Sequence, residues 1–261
     1  MSALLNTAVS AAYAAGEIIL RNIQRLDSIK ISEKGKNEFV SEVDQKAEEK
    51  ILSIISKKYP NDSVLAEESG LSKASSDNQW LIDPLDGTTN YIHSFPHYAV
   101  SIALQKDKEL VLGVVYDPFK QELFTAEKGQ GALLNNHKIR VSQRTNIEGA
   151  LLGTGIPFRE GQDVEQYIET LRSFIKESAG IRRAGAAALD LAYVASARLD
   201  GFWETKLQPW DIAAGIVIVR EAGGLITDLE GGENYFDTGN IVTANVKILK
   251  SMLKHLRKKI T

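Results

Sequence analysis

The sequence contains no cysteine. That excludes a disulfide framework, thiolate-held zinc, iron–sulfur clusters and a cysteine nucleophile, and it accords with a reducing compartment. No uninterrupted run of about 18 apolar residues occurs. The stretch Met1–Leu20 lacks a basic n-region and is broken by Glu17, so it reads as an amphipathic helix and not as a signal peptide or a membrane span. Histidine is scarce, with 4 residues. His93 and His97 have i,i+4 spacing, but Pro96 between them breaks a shared helix face and argues against zinc; His137 and His255 read as surface residues. Basic charge is not in excess: 31 Lys+Arg against 34 Asp+Glu leave −3, which is no signature of direct nucleic-acid binding. Pro/Gly/Ser-rich linkers, low-complexity tracts and internal repeats are also missing. What remains is an ordinary globular composition over 261 residues, 43% hydrophobic and 25% charged, enough for a sizeable core without staples. A soluble cytoplasmic protein with no membrane partner is the expectation.

Periodicity predicts helices over Ala3–Arg25, Ser41–Tyr59, Val164–Glu177, Ala186–Arg198, Ile212–Glu221 and Val246–Lys259. Ser41 with Asp44 has the form of a capping box, and Gly223-Gly224 is a helix stop. Short strands are predicted at Val64–Ala66, Trp80–Ile82, Ala150–Gly155, Gly201–Glu204, Leu225–Asp228 and Asn240–Ala244, with a polar loop over Glu68–Gln79. Tyr98–Gln105, Leu110–Tyr116 and Glu122–Ala126 suggest an antiparallel meander with a turn at Asp117-Pro118. Strands and helices come in blocks, which favours a layered α+β architecture over a regular βαβ repeat.

The chemistry concentrates in Asp83-Pro84-Leu85-Asp86-Gly87-Thr88-Thr89, directly after the apolar Trp80-Leu81-Ile82. Pro84 stiffens the elbow and Gly87 permits close backbone approach. A helix beginning near Thr88 would turn free N–H groups toward the same pocket as the carboxylates, and such a terminus binds anions. Acids and an anion repel one another, so a divalent cation between them is the simplest reconciliation. Oxygen-only ligation suits Mg²⁺, with Mn²⁺ able to substitute. An Asp N-cap in a Pro-Gly turn is the competing reading. Glu67-Glu68, leaving an apolar triplet, are candidates for a ligand and a base, against a solvated loop start. Asp211, before an apolar helix, is a ligand candidate or an N-cap, and Asp44 has its capping-box role.

At these residues the chain resembles the inositol monophosphatase family. The resemblance is carried by Ala66-Glu67-Glu68-Ser69, by Trp80 through Asn90 and by Trp210-Asp211-Ile212-Ala213-Ala214-Gly215. Ala188–Tyr193, Arg198–Gly201 and Arg220–Gly224 also match, so it spans nearly the whole chain and is strongest to the bacterial members. It implies an alternating α-β-α-β-α sandwich of the inositol monophosphatase / fructose-1,6-bisphosphatase type. That would be one domain over residues 1–261, made of two packed α/β halves that meet near residue 147, and usually a homodimer. It implies a magnesium-dependent, lithium-sensitive phosphatase. Glu67, Asp83 and the Leu85 carbonyl would hold one Mg²⁺, Asp83, Asp86 and Asp211 a second, and Glu67 would help with a third, weaker ion. Gly87 and Thr88 would hold the phosphate through backbone N–H groups. Thr88 with Asp44 would orient and activate water, with Glu67 a further catalytic residue. Glu204 matches the position that binds inositol hydroxyls, and Gly185-Ala186-Ala187 the wall beside the sugar; Asp86 and Asp211 also border the substrate. Lys34 matches a lysine near the metals. The family often has Ser or Thr where this chain has Ala186, so one hydroxyl donor to the substrate is absent.

The implied reaction is hydrolysis of myo-inositol monophosphate to inositol and phosphate by in-line attack of metal-activated water. A fructose-1,6-bisphosphatase or nucleotide 3′-phosphatase would need added basic residues. Arg182, Arg183 and Lys206 are candidates, against a role in surface or dimer salt bridges. A different class of function, association with RNA polymerase and antitermination factors, is known among bacterial relatives. Its one trace in the sequence is the basic end Lys254, Arg257, Lys258 and Lys259, and a basic last turn is more often helix-dipole compensation and solvation.

Overall fold

The computed structural model describes residues 2–29, 31–35, 38–157 and 163–257. The side chain of Lys34, and Lys258 and Lys259, lie outside the described residues. The first half contains α1 (Ala3–Asn22) running into a 3-10 turn (Ile23–Ser28), β1 (Ile31–Gly35), β2 (Glu38–Ser41), α2 (Glu42–Lys58), β3 (Ser63–Ala66), β4 (Gly70–Ser72) and β5 (Asn78–Asp86). The short α3 (Thr88–Ile92) follows, then β6 (Ala99–Lys106), β7 (Glu109–Asp117), β8 (Glu122–Glu127), β9 (Gly131–Leu134) and β10 (His137–Lys138). The second half contains β11 (Leu151–Thr154), α4 (Val164–Ile175), β12 (Gly180–Arg182), α5 (Ala187–Ala195) and β13 (Gly201–Glu204). It ends with α6 (Pro209–Glu221), β14 (Leu225–Thr227), α7 (Tyr235–Thr238), β15 (Ile241–Ala244) and α8 (Val246–Arg257).

Among the described residues the strands form an eight-stranded sheet, β10-β9-β8-β7-β6-β5-β3-β4, a five-stranded sheet, β12-β11-β13-β15-β14, and the β1–β2 pair. The meander from β5 to β8 is antiparallel, while β3 joins β5 in parallel. Alternation along the strands builds the layers. Trp80, Ile82, Val100, Ile102, Leu112 and Val114 pack with α1 and α2 on one face of the large sheet. Leu81, Ala99, Ala103 and Val115 pack with α5 and α6 on the other. Trp203, Leu152 and Val242 of the small sheet pack with Phe174 of α4 and Ile248 and Met252 of α8. The result is the layered α-β-α-β-α arrangement. A sheet covered on both faces explains why its central strands read as nearly continuous apolar runs.

Several expectations change. Helix α1 with its 3-10 extension, Ala3–Leu26, is long and apolar enough by composition to cross a membrane, with a mean hydropathy of 1.4 in its most apolar window. Alanines raise that value without forming an unbroken bulky run, and Ala8, Ala11, Ala12, Ala15 and Ile19 are buried in the core against α2 and the sheet. The polar loop Glu68–Gln79 contains the exposed edge strand β4. Strands β1, β2, β9, β10 and β12 are short and lack a period-two pattern of their own. His255 is not a plain surface residue: its ring lies 5.3 Å from that of Phe174 and its Nε2 lies 3.1 Å from Glu177. His137 is exposed, on an edge strand.

Candidate active site

Strand β5 does not stop at Ile82 but runs through the acidic elbow to Asp86. Asp83 pairs with Ser101 and Asp86 with Ala99, so three steps on β5 match two on β6. Pro84 has no N–H for the ladder, and the extra residue is accommodated as a bulge. In a regular strand residues three apart face opposite sides; the bulge brings Asp83 and Asp86 to one site. The chain then turns through Gly87, whose φ of +93° is costly for other residues and whose missing Cβ would lie 2.9 Å from the His97 carbonyl oxygen. Gly87 is the N-cap of α3, so neither aspartate caps that helix. The Asp83 Oδ1 instead accepts the Leu85 N–H at 2.9 Å.

Glu67 extends the parallel β3–β5 pairing by one step, its N–H donating to the Ile82 carbonyl at 3.1 Å. Asp211 comes from the opposite layer. It is the third residue of α6 and not its N-cap, because Pro209 starts the helix earlier. Its Oδ2 accepts the Gln208 N–H at 2.7 Å. The start of α6 is tied to β6 where Ser101, the partner of Asp83, donates to the Trp210 carbonyl at 3.2 Å. From the same layer, the Ala188 N–H of α5 donates to Asp86 Oδ2 at 2.7 Å. Asn90 of α3 donates to the carbonyls of His97 at 2.8 Å and Ala184 at 2.9 Å, which seats Gly185 beside the elbow.

Four carboxylates thus face one another. Burial pushes the Asp83 carboxyl well above its usual range, reinforced by the charges of Glu67, Asp86 and Asp211 and by a hydrogen bond with Glu67. Asp86 is raised by burial and by Asp211, against the Ala188 N–H, with Glu204 and Glu67 adding to the rise. Among the described residues no three acidic or histidine side chains close into a finished metal cage, yet the mutual repulsion of these carboxylates asks for a compensating positive charge. A proton is the weakest remedy for such a cluster. A hard divalent cation is a better one, and an all-oxygen donor set fits it.

Next to the cluster, the Thr88 hydroxyl lies 2.8 Å from Asp44 Oδ1 and 3.0 Å from the Leu85 carbonyl. Asp44 is fully buried. Its Oδ2 accepts both the N–H and the hydroxyl of Ser41, at 2.8 and 2.5 Å, so the capping box is present and also aims the carboxylate. Burial raises the Asp44 carboxyl, and the bonds from Ser41 and Thr88 oppose that rise.

Glu204 leaves β13 on the far side of the cluster. A Cβ on Gly155 would lie 2.0 Å from its carboxyl carbon, so a glycine is required there for Glu204 to sit as it does. Of the expected sugar wall, Ala186 and Ala187, the N-cap and first residue of α5, are buried in the core and Gly185 keeps partial exposure. The apolar start of α5 packs against α6, so this wall presents mainly backbone. Arg182, Arg183 and Lys206 are exposed. Of these, the Arg183 guanidinium reaches the space above Gly185, 2.7 Å from where a Cβ would be. His97 is buried and His93 exposed.

Three residues here carry no sequence expectation. Asp190 on α5 is buried, its Oδ1 makes no hydrogen bond among the described residues, and burial, Glu204 and Asp86 raise its carboxyl. Asn90 stitches α3 to the 184–185 loop. Glu48 accepts the Glu68 and Ser69 N–H groups. For Glu48 a signal existed: Asp44 and Glu48 share the stripe of Val43, Ala47 and Ile51, the buried face of α2.

Known proteins are similar to this chain in sequence and in fold. The sequence profile of the inositol monophosphatase family matches residues 1–261. The chain is 50% identical over 258 residues to the Nus factor SuhB of Pseudomonas aeruginosa, covering 97% of this chain and 95% of that one. The crystal structure of extragenic suppressor protein suhB from Bartonella henselae superposes with a TM-score of 0.96 at 45% identity, over 98% and 99% of the two chains. The inositol monophosphatase of Anabaena (Nostoc) sp. superposes at 0.88 with 36% identity, over 98% and 95%. With the acidic cluster and the layered fold, these matches establish that the chain belongs to the inositol monophosphatase family, a family of metal-dependent phosphatases.

Proposed function

We propose that this protein is a Mg²⁺-dependent phosphomonoesterase that hydrolyses myo-inositol monophosphate to inositol and inorganic phosphate. The observation that carries the reading is the meeting of Glu67, Asp83 and Asp86 with Asp211 from the opposite layer, alongside the Thr88–Asp44 pair. Glu67, Asp83, the Leu85 carbonyl, Asp86 and Asp211 would hold two or three Mg²⁺ ions, or Mn²⁺ in their place. When bound, such ions supply Lewis acidity and lower the pKa of coordinated water. The chain's own residues do the rest. Gly87 and Thr88, at the start of α3, offer backbone N–H groups to the phosphate. The Thr88 Oγ1 can accept a proton from the attacking water while passing its own to Asp44 Oδ1, 2.8 Å away. Asp44 is suited to this because burial makes it a stronger base than an exposed aspartate. Water adds to phosphorus in line, the ester oxygen leaves and takes a proton from a solvent water to become the alcohol, and phosphate is released as Asp44 returns its proton to solvent. Glu204 and the Gly185–Ala187 wall select the alcohol.

The test is Mg²⁺-dependent phosphate release from a panel of inositol monophosphates, fructose 1,6-bisphosphate and nucleotide 3′-phosphates. Preference for inositol monophosphate supports the reading. Exclusive turnover of the bisphosphate would transfer it to the alternative, in which Arg183 above Gly185 contacts the second phosphate. A homodimer in the cytoplasm is part of the same proposal.

A second reading, of an interaction protein in transcription, is supported by the name Nus factor SuhB of relatives at 47–50% identity. It is compatible with catalysis. Capture of RNA polymerase by both wild type and a catalytically dead Asp83→Asn variant would support it, and no capture by either would dismiss it.

A further inference from the structure

Glu48 takes no part in the chemistry above, yet it is 3% exposed and both of its oxygens are engaged. Oε2 accepts the Glu68 N–H and Oε1 the Ser69 N–H, each at 2.8 Å. These two peptides lie directly after Glu67. On its other side, the Glu67 N–H is held by the Ile82 carbonyl at 3.1 Å. The peptide planes before and after the Glu67 Cα are therefore both pinned, one to β5 and one to α2. Closing the β3–β4 turn does not require this clamp, because the ladder already pairs Val64 with Ser72, Leu65 with Leu71 and Ala66 with Gly70. A neutral side chain could have filled the space, and a buried carboxylate is costly unless its bonds are used. One helical turn before Glu48, Asp44 projects from the same face and takes the Thr88 hydroxyl at 2.8 Å. Helix α2 thus sets two separate edges of the site with two carboxylates.

We propose that Glu48 is a positioning residue that aims Glu67 at Asp83 and so presets the site for a divalent cation. The proposal rests on the reading that Glu67 and Asp83 hold that cation. The Glu48→Gln variant is isosteric but turns an NH₂ group toward one of the two N–H donors, which releases one peptide. Outer groups of this kind change metal affinity by about 10–100-fold.

The experiment is calorimetric titration of Mn²⁺ into wild type, Glu48→Gln and Glu67→Gln, with phosphate release against Mg²⁺ concentration at 25 °C, where circular dichroism shows each protein folded. For Glu48→Gln the Mn²⁺ Kd is expected to rise about 10-fold or more. KM for the ester should stay within about twofold at saturating Mg²⁺, and excess Mg²⁺ should restore the rate to within about threefold. Glu67→Gln should not be restored. A Mn²⁺ Kd within twofold of wild type in folded Glu48→Gln would overturn the proposal. Wild type that bound no Mn²⁺ would instead overturn the metal reading, and with it any role for Glu48. Should Glu48→Gln not fold, Glu48→Asp, which keeps the charge but withdraws it by one methylene, carries the same expectation and the same refutation.

Discussion

Replacing Asp44 with Asn tests the proton path through Thr88. Asp44 Oδ2 faces two donors of Ser41, at 2.8 and 2.5 Å, and Oδ1 faces the Thr88 hydroxyl at 2.8 Å. An asparagine has one acceptor and one donor for these two places. With its NH₂ toward Ser41, it opposes a backbone N–H that cannot rotate away. With its NH₂ toward Thr88, it keeps the Ser41 bonds but donates to the Thr88 oxygen, whose own proton must turn to the Leu85 carbonyl at 3.0 Å. The second arrangement avoids an unpaired buried donor, a penalty of about 1–3 kcal/mol, and should prevail. It inverts the polarity of the hydroxyl, so Thr88 no longer passes a proton to residue 44. Loss of general-base assistance costs about 10²–10⁴ in kcat, or roughly 3–5 kcal/mol of barrier. KM and Mg²⁺ affinity should stay within about threefold, because Asp44 is not in the proposed ligand set. The fold should tolerate the change, since removing a fully buried charge offsets the weakened bonds. The assay is steady-state phosphate release at saturating Mg²⁺, with a melting curve as control. A folded variant retaining kcat within threefold would refute the Thr88–Asp44 path.

Other outcomes are expected at separate places. In Gly155→Ala the new methyl would overlap the Glu204 carboxyl, 2.0 Å away; displacing Glu204 should raise KM for inositol monophosphate about tenfold, worth roughly 1.4 kcal/mol, while an aryl phosphate lacking hydroxyls is turned over as before, and equal effects on both esters would count against Glu204 as the hydroxyl contact. Burial, with Lys120 adding to it, lowers His97 from 6.5 to about 4, so between these values the unfolded chain binds a proton that the folded one refuses, and stability falls as pH falls. At pH 5 the loss relative to neutral pH is roughly 2 kcal/mol, to be read as the difference in urea unfolding between wild type and His97→Gln; a difference that does not change with pH would sink the argument. Asp83 and Asp86 are raised above the unfolded value of 3.8, so without metal their contribution to stability is present below that value and is lost as pH rises. Mg²⁺ should therefore raise the melting temperature, by the equivalent of about 2.7 kcal/mol at 100 times its Kd, and more so at higher pH. An unchanged melting temperature in wild type, or a full shift in Asp83→Asn, would contradict the assigned ligands.

Much of the site was legible because its information is local. The string from Asp83 to Thr89 names its own chemistry, since acids, a stiff proline and a permissive glycine suit a cation beside an anion. The capping box of Ser41 and Asp44 follows from residue type and spacing, as do the principal helices. The elbow's geometry was not legible. A strand that continues through Pro84, with a bulge that turns two aspartates three apart to one side, depends on pairing with β6. With its helix starting at Ile212, Asp211 reads as either a ligand or an N-cap; Pro209 begins the helix earlier and puts Asp211 inside the first turn, which removes the N-cap alternative. Glu48 was passed over because its partners are backbone groups of another segment, which side-chain patterns do not reveal.

The sequence alone determined the donors and the local shapes: which oxygens are present, where helices start, and that a glycine follows the second aspartate. Only the tertiary structure decided that these donors meet. Asp211 and Ala188 belong to helices of the middle layer, and the large sheet brings its acidic edge against them because both faces of that sheet must be covered by apolar surface. Burial is non-directional and leaves no mark at any single residue. The hydrogen bonds that then lock the contact, Ser101 to Trp210 and Ala188 to Asp86, join segments far apart in the chain. The chemistry of the site is therefore local in sequence, and its assembly is a consequence of how the layers pack.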